Sequence, residues 1–174
     1  LRKMIRFTAF ISFPTLFGLN FIAEEFIIIA ITDKWLYSAY IMEILCIGGA
    51  FMPLNSLLAN LIISRGHSSI HMWNTILLNL TQLIAALIIF PYGIERILYI
   101  FVAINISWLL IWTYFVWRDI GLTLPALIKD ISPYLLLTYF IITGTSYLTI
   151  YIDNILLRLI SKIVIVASVY ISVL

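Results

Sequence analysis

Charged and turn-forming residues fall in clusters along this chain. Between the clusters lie apolar runs of about 20 residues, the length that crosses a roughly 30 Å hydrocarbon core as a helix. Six such runs are legible, over residues 7–31, 36–63, 70–90, 97–117, 131–152 and 155–174. The first is interrupted by Pro14 and Gly18 and carries Glu24 and Glu25 toward its far end. The second contains Glu43, Gly48, Gly49 and Pro53, and the third contains Asn74, Asn79, Thr81 and Gln82. Pro91, Tyr92 and Gly93 make the turn into the fourth run, whose strongly polar member is Asn105. A surface link over residues 121–128, broken by Pro125, leads to the fifth, where Pro133 falls in the first turn. The sixth carries Arg158 and Lys162 near its start, where long stems can reach the interface. Strands are excluded by pattern: a membrane barrel needs ten-residue segments of alternating polarity, and runs such as 83–90 and 97–103 do not alternate. The expected class is all-α integral membrane, a single domain of about six spanning helices.

Composition agrees. Hydrophobic residues make up 64% of the 174, with only ten Lys plus Arg and eight Asp plus Glu. Soluble chains average roughly 45–50% apolar and about 25% charged, so the solvent here is lipid. A net charge of +2 and a mean hydropathy of +1.14 argue against a nucleic-acid partner and against a disordered acidic tail. One cysteine, Cys46, excludes an internal disulfide framework and a thiolate metal cage. Leu1 in place of Met reads as an internal start, and the 12-residue uncharged run 163–174 reads as a last span cut short. The chain is therefore expected to be a fragment whose N-terminal half is missing. With six spans, the N-terminal segment, the 64–69 loop and the 118–130 link share one side and carry six Lys and Arg; the other side carries four. The first side is expected to be cytoplasmic.

Glu43 is the main candidate for chemistry. A carboxylate inside a span costs roughly 2.5–3.5 kcal/mol on insertion scales, so it faces a bundle interior or an aqueous cavity and finds a partner. It reads either as a protonatable or substrate-coordinating group or as a structural hydrogen-bond partner. Glu24 and Glu25, near a helix end, read as a solvated rim. Asn55, Asn60 and Asn74, with Asn79 and Gln82, either bridge helices at about 0.6 kcal/mol each or line a wet cavity that takes sugar hydroxyls. His67 and His71 have i, i+4 spacing but straddle a loop and lack a third ligand, so no metal site is expected. Trp35, Trp73 and Trp117 mark an interfacial belt, while Trp108 and Trp112 lie deeper and pack against lipid or a neighbouring helix. No phosphate-cradling loop, nucleophile elbow or metalloprotease helix is legible, and neither enzyme activity nor a cofactor is expected.

Three stretches taken together carry a resemblance. The first is Pro14, Gly18, then Ala23-Glu24-Glu25-Phe26-Ile27 and Ile31-Thr32-Asp33-Lys34-Trp35. The second is Phe51-Met52-Pro53-Leu54-Asn55 with Asn60 and the Arg65-Gly66 turn, and the third is Phe90-Pro91-Tyr92-Gly93-Ile94. Their order resembles the C-terminal half of bacterial polysaccharide flippases, the O-antigen and exopolysaccharide lipid exporters of the multidrug/oligosaccharidyl-lipid/polysaccharide superfamily. The resemblance implies a bundle of about 12 to 14 helices in two pseudo-symmetric halves around a cavity open alternately to either side. It further implies passage of undecaprenyl-diphosphate-linked oligosaccharide across the bacterial inner membrane, with lipid and the missing half as partners. Asp33 stands where the family usually has Gly before Lys-Trp, and cavity arginines have no match in these spans. On this reading Pro14, Gly48, Gly49 and Pro53 are hinges. Two alternatives stay open: an ion-coupled multidrug antiporter of the same superfamily, with Glu43 as its protonatable group, or an integral-membrane glycosyl- or acyltransferase.

Overall fold

A computed structural model describes residues 1–149, 151–152 and 154–172. Ile150, at the end of the fifth run, Asp153, which separates it from the sixth, residues 173–174 and the side chains of Asp33, Ile171 and Ser172 lie outside the described residues. Among the described residues the regular elements are all helical: α1 (Arg2–Phe21), α2 (Ala23–Ala30), α3 (Leu36–Ser64), α4 (Ser68–Ile89), α5 (Ile94–Ile120), α6 (Leu124–Thr149) and α7 (Ile155–Ser172), with 3₁₀ turns at Asp33–Trp35 and Phe90–Tyr92. Five of the helices, α1, α3, α4 (counted on to Tyr92), α5 and α6, are long and apolar enough to cross a membrane. Outward-facing apolar side chains such as Leu87, Ile88, Phe140 and Leu148 stay exposed, as they must when the surrounding solvent is hydrocarbon.

α3 is the central helix, packed against α1 on one side and α5 on the other; α6 leans on α1 and α7, and α4 lies outside against α5 and α3. The core forms where α1, α3, α5 and α6 meet, around Ile5, Phe13, Leu54, Leu58, Val116 and Leu127. The ends agree with the alternation of the runs. Asp130 at the start of α6 holds Arg2 and Arg6 at the start of α1, and Asp119 at the end of α5 takes Arg65 at 3.0 Å and His67 at 3.4 Å just past the end of α3. The three segments assigned to one side are thus tied together in two pairs of contacts at that end.

Three boundaries differ from the sequence reading. The first run is two helices, because the chain breaks at Ile22 (φ −105°, ψ 4°) before resuming as α2. The link is only residues 121–123: Gly121 stops α5 in the left-handed region at φ +77°, and α6 starts at Leu124 with Pro125 in its first turn, where no N–H is needed. Pro133 consequently lies inside α6 and not at its start.

Candidate functional site

Proline removes one backbone donor from a helix, and in a span the carbonyl four residues earlier must then be satisfied from elsewhere. Pro14 does this to Phe10. The hydroxyl of Tyr170 on α7 donates to the Phe10 carbonyl at 2.9 Å, and the two rings lie 4.9 Å apart. Eight residues beyond Pro14, α1 breaks. A groove of about 410 Å³ runs between the two helices, lined by Pro14, Gly18, Phe21, Ile22, Lys162 and Val166 among others.

The charges at the break are buried. The Lys162 ammonium donates to Glu25 Oε1 and, at 3.2 Å, to the Phe21 carbonyl, and it sits 4.2 Å from the centre of the Phe21 ring. The Lys162 and Glu25 side chains are only 11% and 6% exposed. Glu25 Oε2 is also buried and has no hydrogen-bond partner among the described residues. Glu25 is therefore buried against α7 and not part of an exposed rim, and Lys162 turns inward onto it. A carboxylate and an ammonium in hydrocarbon each cost several kcal/mol unless they meet, and burying them together is the lower-energy arrangement. Glu24 remains exposed, as expected of a rim residue. The other cation of α7, Arg158, turns back onto the Ile152 carbonyl with Nε at 2.9 Å and Nη2 at 2.7 Å.

Glu43 on α3 is half-buried and belongs to the same electrostatic neighbourhood, interacting with Glu24 and Glu25. Its backbone carbonyl accepts from Asn20 Nδ2 at 2.8 Å, which ties α3 to the last turn of α1. Asn55 spans α3 and α5, donating from Nδ2 to the Asn105 carbonyl at 3.0 Å, while its Oδ1 is buried without a partner among the described residues. Asn60 is exposed on α3, and Asn74 is buried on α4 and donates to the Ile70 carbonyl of its own helix at 3.1 Å. On α3 the twelve residues from Glu43 to Asn55 put the two about 18 Å apart along the axis.

α3 stays helical through Gly48, Gly49 and Pro53. A Cβ on Gly48 would lie 2.8 Å from Val102 Cγ2 of α5, and one on Gly49 would lie 3.4 Å from Leu16 Cδ1 of α1. Both glycines therefore sit where neighbouring helices press closely on α3. His71 lies in the first turn of α4, not in the loop, and stacks on the buried Trp112 of α5 at 5.7 Å. No cluster of three or more metal-ligating side chains occurs among the described residues.

No protein family's sequence model matches this chain, and no solved structure matches it. A stretch of 60 residues is 37% identical to an uncharacterized membrane protein in the cps region of Klebsiella pneumoniae. That stretch is 32% of this chain and 12% of the Klebsiella protein, so the match spans far less than two thirds of the relative. The helices of spanning length and this likeness agree on one point. The chain is a helical membrane protein.

The sequence reading singled out Glu43 and missed the pairing of Glu25 with Lys162. The signal was present: opposite charges embedded in two apolar runs, each too expensive to leave alone in lipid, are expected to seek one another.

Proposed function

We propose that this chain is part of a transporter that carries a lipid-linked oligosaccharide between the leaflets of a bacterial inner membrane during polysaccharide biosynthesis. The observation that carries this reading is the likeness to a membrane protein in a cps region, in a chain with five helices long and apolar enough to span a membrane. The physical task is to pass a glycan and its diphosphate across about 30 Å of hydrocarbon while the prenyl tail stays in lipid. Nothing covalent is required. What is required is a polar, wet passage lined by side chains that hydrogen-bond sugars, and helices whose irregular backbone faces protein or that passage. The half-buried Glu43 and the break at Ile22 support this reading. The proposed hinges are Pro14, Gly48, Gly49 and Pro53.

Disruption of the gene in a bacterium that displays surface polysaccharide tests this. The expected result is loss of surface polysaccharide with accumulation of completed lipid-linked repeat units on the cytoplasmic leaflet, restored by the intact gene. Unchanged surface polysaccharide with increased drug retention, abolished by Glu43→Gln, would support the antiporter reading instead. Truncated or absent lipid-linked units would point to a transferase.

A further inference from the structure

We propose that α4 is the interface between two copies of this chain, joined in the membrane as a parallel helix pair with Asn79 at its centre. Asn79 is the twelfth of the 22 residues of α4, about 15 Å from either end, and it is exposed on the helix that lies outside the others. Its carboxamide makes no hydrogen bond among the described residues. Three other polar side chains of α4 are satisfied by their own helix: Asn74 donates to the Ile70 carbonyl at 3.1 Å, Thr75 to His71 at 2.9 Å, and the equally exposed Thr81 to Leu77 at 2.7 Å. Asn79 instead turns two donors and an acceptor toward hydrocarbon at mid-span, where water offers no partner.

The pattern around Asn79 identifies what covers it. Met72, Ile76, Asn79, Leu83, Ala86 and Phe90 follow one another at spacings of four, three, four, three and four residues. That alternation averages 3.5 residues and makes the seam of a left-handed two-stranded coil, in which a single asparagine fixes register and pairing. Five of the six are exposed, and the small Ala86 is half-buried. The seam is distinct from the face α4 turns to its own bundle, where Asn74 is buried and His71 stacks on Trp112.

A second copy meets the requirement most directly. Copies inserted in one membrane share an orientation, so their α4 helices are parallel, and a two-fold axis along the membrane normal sets each residue opposite its counterpart at the same depth. A carboxamide both donates and accepts, so Asn79 is complementary to itself. Any other helix would need a polar group of its own at that depth. The pairing is independent of what the protein carries.

The test uses the whole protein in liposomes, cleared of its own cysteines with Cys46→Ala included. On oxidation with copper phenanthroline, Leu83→Cys is expected to give a dimer that reductant reverses. Ile84→Cys, also exposed but about 100° around the helix from Leu83, should stay monomeric. Single-molecule photobleaching across a series of protein-to-lipid ratios then measures the dimer without a cross-link. Asn79→Leu, at an exposed position, is expected to raise the dissociation constant by about 3- to 20-fold. No cross-link at Leu83→Cys, equal cross-linking at both positions, or an unchanged or tighter dimer in Asn79→Leu each overturns the proposal. Reaction of Asn79→Cys with a water-soluble maleimide also overturns it, because that face would then border an aqueous passage.

Discussion

Asp130 is fully buried, yet its two oxygens accept four hydrogen bonds from two arginines. Arg2 binds in the bidentate manner, Nε to Oδ2 at 2.7 Å and Nη2 to Oδ1 at 2.9 Å, and Arg6 adds Nε at 2.8 Å and Nη2 at 2.6 Å to Oδ1. The arginines are about half exposed, so their own desolvation is small and the carboxylate bears the burial penalty. Loss of one guanidinium leaves the other in place. Arg2→Ala or Arg6→Ala alone is therefore expected to lower stability by about 1 kcal/mol or less, and the double substitution by about 3–5 kcal/mol because the buried charge is then unpaired. Adding Asp130→Asn to the double variant should recover part of that loss. Thermal unfolding in detergent measures all four chains, and additive single effects would contradict the shared-carboxylate account.

At the level of elements, α3 and α5 come together because Gly48 has no side chain to hold them apart, and Asn55 and the Tyr40–Tyr99 hydroxyl pair at 2.7 Å then link them at other levels. Val102 is β-branched and stiff about χ1, so it cannot easily rotate away from a new methyl group. Gly48→Ala is expected to destabilise the fold by about 1–3 kcal/mol, and Val102→Ala in the same chain should relieve most of it. Gly144→Ala, where nothing lies within 4 Å, is the control: it should be neutral or stabilise by about 0.5–1 kcal/mol. Equal effects of the two glycine substitutions, read as shifts in melting temperature, would remove the close-approach explanation. The helices themselves were legible in the apolar runs because a spanning length and its punctuation are local properties. The break at Ile22 was not, since no proline or glycine occupies it; the start of α6 was misplaced because Pro125 reads as a breaker in sequence but suits the first turn of a helix.

For the whole molecule, alternation of the spans places the turn after α3 and the turn after α4 at opposite ends. His67 and Tyr92 are exposed in those turns. In a Cys46→Ala background, Tyr92→Cys is expected to react with a membrane-impermeant maleimide in intact cells. His67→Cys should react only after permeabilisation, because the Lys and Arg bias puts the 64–69 loop inside. Labelling of both from the same side would refute the alternation, and the reversed pattern would refute the orientation.

Sequence alone determined that this chain lives in lipid and crosses it as helices. Hydrophobicity and run length act residue by residue, and a backbone in hydrocarbon has no alternative to internal hydrogen bonding except a closed barrel, which the pattern rules out. Tertiary structure decided which polar groups meet. Glu25 and Lys162 are separated by 137 positions, and Arg2 and Asp130 by 128. Their pairing depends on which helix faces pack, and α1 packs against α3 as well as against α6 and α7. The identity of each charge is local information; the low-dielectric site that makes it matter is assembled from distant segments.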